Sequence, residues 1–233
     1  MIEVRRAADR FATRTGWLES RHCFSFGQHY DPANVGHGLL VVSNDDVVRA
    51  GSGFRTHPHR DMEIVTWVLD GELAHEDTLG NAGVIHPGLA QRMSAGTGIW
   101  HSELCPGGGR DVRFVQMWVL PDTPSADPSY EQLDVSAELD GGGLVAIASG
   151  RGHDAAISIR QRGATLWGGR LRPGETVAVP DSAHAHVYVA RGSAALEGAG
   201  ALAEGDSVRL TGAGSPALTA GEGGAEVLVW ETT

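Results

Sequence analysis

The sequence predicts an all-β protein, and three observations carry that prediction. The chain is divided into short apolar runs rich in valine: "GLLVVSN", "EIVTWVLDG", "VRFVQMWVLP", "LVAIASG", "TVAVP", "HVYVARG" and "VLVWE". Most are four to eight residues long and stop at Gly, Pro, Asn or Asp, as strands do. The 33 glycines are spread between such runs rather than clustered, which is where turns need them. No segment keeps an apolar stripe at helical spacing over three turns. Many short strands separated in this way build a sandwich or a barrel.

Taken from the N-terminus, "MIEVRRAADRFATRTGWLES" carries charges where a secretory leader has its apolar core. No apolar run reaches membrane-spanning length, so no membrane association and a cytoplasmic location are expected. The formal net charge of -11 disfavours a phosphate-binding surface, and no direct nucleic acid binding is expected. Two cysteines, Cys23 and Cys105, do not make a disulfide framework.

The run at residues 53–72, "GFRTHPHRDMEIVTWVLDGE", opens with His57-Pro58-His59. Residues i and i+2 of a strand share a face, so both imidazoles can converge on one ion. Chance placement of 11 histidines supplies about half of one such pair, so the pair alone decides little. Some forty residues later "SAGTGIWHSELCP" offers His101 and Glu103 at the same spacing, again just past turn glycines. Two such pairs on neighbouring strands supply three imidazoles and one carboxylate. That set suits Fe(II), Mn, Ni, Cu or Zn and leaves positions open.

Glu63, four residues after His59, falls on the same face by strict alternation. It has three roles open to it: ligand, partner of a ligand, or paired strand carboxylate. We place it behind the ligands. Cys105 reads as a buried inert thiol, His75 and His86 as turn residues, and Trp67, Trp100 and Trp118 as core or pocket wall.

Residues 121–134, "PDTPSADPSYEQLD", hold three prolines and no core pattern, and read as a linker between two halves. The halves echo each other in "WVLDGEL" and "YVARGSAAL", each a strand, a glycine turn and a second strand. Anchored on the turn glycines Gly71 and Gly192, His57 and His59 lie 14 and 12 residues upstream. The same offsets in the second half reach Ala178 and Pro180, so the second pair, His184 and His186, is out of register. The expected division is a metal-binding unit over residues 1–132 and a unit without metal over residues 133–233.

"THPHRDMEIVTWVLDGELAHEDTLGNAGVIHPG" followed by "MSAGTGIWHSE" resembles the pirin family of bicupins, closest to its bacterial quercetinases. "GWLESRHCFSFGQHYDP", "VVSNDDVVRAGSGFRTHPH" and "FVQMWVLP" resemble the same family, over roughly residues 1–134. The resemblance implies two jelly-roll β-barrels packed face to face, with one divalent transition metal per chain, iron before Mn, Ni, Cu or Zn. Cupins in general place a ligand glutamate in the first motif. Pirins resemble this chain in carrying it in "HSE", so the implied ligands are His57, His59, His101 and Glu103. The implied reaction is that of a quercetin 2,3-dioxygenase: O2 opens the central ring of a flavonol and carbon monoxide leaves. Glu103 would be the general base for the flavonol 3-hydroxyl, and "CFSFGQHY", Ile99 and Trp100 would face the ring system. The same resemblance also implies a rival, an iron-binding regulator acting through protein partners. A third reading is a cupin enzyme for another phenolic or enolisable molecule.

Overall fold

All seven apolar runs are strands in the computed structural model, which describes residues 1–233. The first half holds β1 (Ile2–Arg5), β2 (Phe11–Arg14), β3 (Leu18–His22), β4 (Leu40–Val48), β5 (Gly53–His59), β6 (Glu63–Asp70), β7 (Leu73–Asp77), β8 (Ala82–Ile85), β9 (Leu89–Ser94), β10 (Ile99–Leu104), β11 (Val112–Val119) and β12 (Ser129–Asp134). After a helix of five residues, α1 (Ser136–Asp140), come β13 (Val145–Ser149), β14 (Ile157–Ser158), β15 (Ala164–Leu171), β16 (Thr176–Ala178), β17 (His184–Leu196), β18 (Gly200–Ala203), β19 (Ser207–Thr211) and β20 (Ala217–Thr232). No helix is long and apolar enough to cross a membrane.

Two sheets build the first half: one in the order β12-β9-β6-β11-β4-β3-β2 and one in the order β5-β10-β7-β8. Val48, Val68, Val112 and Phe114 of the former pack on Leu73 and Ile85 of the latter. A nine-stranded sheet, β1-β19-β17-β20-β15-β13-β14 with β16 and β18 attached, builds the second half. Its own core contains Val187, Val189, Val208 and Val227. This is a bicupin fold: two cupin-type β-units, almost without helix.

Strand alternation decides which side chains meet. Even residues of β6 (Ile64, Val68) face the first barrel, and odd residues (Val65, Trp67, Leu69) face the second half. With Val115 and Met117 of β11 they pack on Ile147, Leu166, Tyr188, Leu228 and Trp230, an apolar cluster of 22 residues that joins the halves. Asp45 lies on the same joining face, gripped by Arg113 through both oxygens at 2.9 and 2.8 Å and by the Tyr188 hydroxyl from the second half.

Gly71 and Gly192, equated on sequence, both take positive φ, 76° and 73°. A Cβ on Gly192 would lie 2.2 Å from the Gly224 carbonyl, so each position demands glycine for conformation or for space. The expected linker is shorter than residues 121–134. Residues 129–134 form β12, paired with β9 from Ser129↔Ser94 to Asp134↔Leu89. The three prolines all precede it, and "SYEQLD" is polar because this edge strand is half-exposed to exposed throughout. One strand of the first half crosses over: β1 pairs with β19, Ile2 opposite Leu210.

Candidate metal centre

β5 and β10 are antiparallel neighbours, and their register puts His101 opposite His57 and Ile99 opposite His59. The imidazole rings of His57, His59 and His101 lie 4.5–5.0 Å apart between centroids. One donor nitrogen from each falls within 4.8 Å of the other two, the spacing of a cluster able to hold a metal ion.

The hydrogen bonds select which nitrogens are free. Nδ1–H of His57 donates to the Arg55 carbonyl at 2.8 Å, leaving Nε2 for an ion. His101 is set by a longer chain. Nε2–H of His75 donates to Asp77 at 3.2 Å, so Nδ1 of His75 is an acceptor. It lies 3.5 Å from His101 Nδ1, which must then carry the proton. What remains is His101 Nε2, buried and without any partner. An orphaned lone pair at the centre of a histidine cluster is the feature a metal satisfies.

Electrostatics agree. Burial lowers His59 to about 4, helped by His57. Burial lowers His101 to about 2, helped by the three neighbouring imidazoles. Both rings are neutral at pH 7 and offer lone pairs to a cation. Asp77 is held below the usual carboxylate range, against its burial, by hydrogen bonds from Asn81, His75 and Leu79.

Glu103 faces the same cavity but stands apart from the trio: its oxygens are not within 4.8 Å of all three nitrogens. A β-bulge between His101 and Glu103 interrupts the register at that point. Gln116 Nε2 donates to both carboxylate oxygens at 2.9 Å. Trp118 Nε1 donates to Gln116 Oε1 at 3.0 Å, which fixes the amide's orientation. Burial pushes the Glu103 carboxyl up to about 7.

Glu63 is not beside the ligands. Its Oε2 accepts from Ser94 Oγ at 2.7 Å and from the Arg160 backbone at 3.0 Å. The turn at residues 60–62, with Asp61 at φ 47°, breaks the alternation between β5 and β6. The two strands enter different sheets, so Glu63 joins Val65 and Trp67 on the face toward the second half. The carboxylate behind a ligand is instead Asp77, acting through His75. Read as a turn residue, His75 is a fully buried residue of β7 opposite Glu103. Its spacing from Leu73 and Asp77 on one strand face was the available signal.

A cavity of 690 Å³ opens over the centre, bordered by His57, His59, Glu103, Phe26, Trp118 and Phe54. This volume suits a small organic ligand. Of the aromatic residues expected there, Phe26 lines it, but Phe24 is buried against His186. Ile99 is in the core, and Trp100, alternating away from His101, is 51% exposed on the outer face. Trp118, 5.6 Å from Phe26 and edge-on, supplies the wall that Trp100 does not. Cys105 is buried, its thiol pushed up by burial and directed to the Arg110 carbonyl.

The second histidine pair makes no comparable cluster. On β17, Ala185, Val187 and Val189 face the second barrel's core, so His184 and His186 point out of it toward the first half.

Two cupin-type units, the first with a histidine cluster that could hold a metal ion, define a bicupin. Family comparison narrows this: the Pirin model matches residues 3–119, and the model of the quercetinase C-terminal cupin domain matches residues 146–232. The chain belongs to the pirin family. It is 58% identical to Rv0181c of Mycobacterium tuberculosis, provisionally named a quercetin 2,3-dioxygenase, over 99% of this chain and 94% of that one. It is 44% identical to the Escherichia coli K12 quercetin 2,3-dioxygenase over 69% of this chain and 68% of that one. Among solved structures it is similar to the Escherichia coli bacterial pirin YhhW in complex with nickel(II). The TM-score is 0.91 and the identity 33%, covering 100% of this chain and 99% of that one.

Proposed function

We propose that this pirin is a metal-dependent dioxygenase of quercetinase type, opening the central ring of a flavonol with O2 and releasing carbon monoxide. The observation that carries the reading is the 690 Å³ cavity, in which His57 and His59 of the histidine cluster and Glu103 meet an aromatic wall. The relatives' names point the same way. In this reading residues 1–132 form the metal-binding unit and residues 133–233 a unit without metal.

His57, His59 and His101 would hold the ion, with Glu103 as the fourth ligand. The family resemblance puts iron first, and Mn, Ni, Cu and Zn also fit this donor set. When bound, the ion supplies Lewis acidity toward a flavonol oxygen and, for iron, redox chemistry toward O2. The protein's share is positional and acid–base. Phe26 and Trp118 hold the planar rings against the centre. The Glu103 carboxylate accepts the proton of the flavonol 3-hydroxyl, and Gln116 keeps it aimed there. In the metal-free protein burial raises this carboxyl to about 7.

Metal-loaded protein is therefore expected to bleach the flavonol absorbance of quercetin, consume O2 and release carbon monoxide. Metal-free protein and a His57→Ala/His101→Ala double variant should do none of these. A flavone lacking the 3-hydroxyl should be inert. Glu103→Gln, reloaded with metal, should lose about 10²–10⁴-fold in turnover. Binding of quercetin without O2 consumption, whatever the metal, would transfer the reading to a regulator acting through protein partners.

A further inference from the structure

The wall of the cavity on β3 and β4 has no part in the chemistry above. Alternation turns Ser20 and His22 of β3, and Asn44 and Asp46 of β4, inward, and all four border the cavity. Towards the other end of β4 the inward residue is Val48, part of the apolar core. The sheet therefore changes from apolar to polar where it passes the metal centre. Buried polar groups destabilise a fold unless they are paired.

His22 is paired on both sides. Its Nδ1 lies 2.9 Å from Asn44 Oδ1, and its Nε2 lies 2.9 Å from Thr13 Oγ1. Thr13 Oγ1 is also 3.1 Å from His29 Nε2. Burial lowers the His22 pKa, so the ring is neutral. Nδ1–H then donates to Asn44, and Nε2 accepts from the Thr13 hydroxyl.

Asp46 is different. It is 4% exposed, and its Oδ1 has no hydrogen-bond partner. Ser20 is the group that bonds the side chain, and the charges nearest to it are the carboxylates of Asp45 and Glu103. No cation faces it. A buried acceptor left open at a cavity wall is matched by a donor that arrives from the cavity. Phe26 and Trp118 make the cavity's apolar side and favour a flat aromatic body. A flat body with a hydroxyl on its edge presents such a donor.

We infer that Asp46, held beside the locked His22–Asn44 pair, is a specificity residue: its Oδ1 accepts a hydrogen bond from a ring hydroxyl of an aromatic ligand whose other hydroxyl faces the histidine cluster. This rests on the flavonol reading above and adds to it a preference for polyhydroxylated over singly hydroxylated rings. Asp46 acts in binding and takes no part in bond cleavage.

The test is calorimetric binding without turnover, with zinc-loaded protein under anaerobic conditions and two ligands, quercetin and 3-hydroxyflavone. Wild type should bind quercetin about tenfold more tightly, the effect of one buried hydrogen bond. Asp46→Leu should weaken quercetin about tenfold and leave 3-hydroxyflavone and zinc content unchanged. Asp46→Asn, which keeps the shape, should fall between, and it decides the question if the leucine variant does not fold. The inference is overturned if wild type shows no preference, or if the preference survives in the variants. Both outcomes leave the flavonol reading standing so long as both ligands bind. If neither ligand binds loaded wild type, the flavonol reading falls and this inference falls with it.

Discussion

His101 shows how a single side chain is prepared for an ion. Its Nδ1 is committed to His75, which is committed to Asp77, and only Nε2 is left. Loss of such a supporting partner typically weakens metal binding about 10–100-fold. His75→Ala and Asp77→Asn are therefore expected to bind metal that much more weakly than wild type in chelator competition, with the fold retained by circular dichroism. Glu103 makes a pH prediction. Metal-free protein holds its carboxyl protonated below about 7, and coordination requires the anion. Binding at pH 6 should thus release about one proton more in wild type than in Glu103→Gln, measured by calorimetry in buffers of different ionisation enthalpy. That part of the affinity should fall as pH drops below 7 and be flat above it. Equal proton release in the two proteins would remove Glu103 from the ligand set. The clustering of His57, His59 and His101 was legible because i,i+2 pairs on strands leave a visible spacing. His75 was legible only in part: its alternation with Leu73 and Asp77 marks it as inward-facing, but its approach to His101 comes through the β7–β10 register, which no local pattern encodes.

At the scale of elements, the three residues between β5 and β6 matter most. They send two consecutive strands into different sheets, and Asp61 adopts a left-handed conformation to do so. Alternation holds within a strand but cannot be carried across such a turn. For this reason Glu63 was misplaced by counting from His59, although both strands were recognised. Glu63→Ala should leave metal affinity unchanged. It should lower stability by about 1–3 kcal/mol, because the buried Ser94 hydroxyl and the half-buried Arg160 amide lose their acceptor. Denaturant unfolding of the metal-free variant measures the loss, and any fall in metal content would contradict the placement. β12 escaped notice for a related reason: as an edge strand it needs no apolar face, and proline-rich residues precede it.

For the whole molecule, the largest apolar cluster belongs to neither half alone. Trp67, Val115 and Met117 of the first half share it with Tyr188, Leu228 and Trp230 of the second. A fragment ending at residue 135 would expose that face, and burial of one such large side chain is worth about 1.5–3 kcal/mol. It should not fold as a monomer, as judged by aggregation and absent near-ultraviolet dichroism. A soluble, metal-binding fragment would show that the first half is independent. The β-content and the two-unit plan were readable from the spacing of strands and glycines. The joining face was not, since its residues look like any other alternating strand. The pairing of β1 has a consequence of another kind. β1 lies against β19, with Ile2 opposite Leu210. Synthesis runs from one to the other, so β1 finds its partner only after every strand between them has been made. At about 5–20 residues per second, that strand waits for about ten seconds or more, its backbone donors and acceptors open to water until β19 covers them.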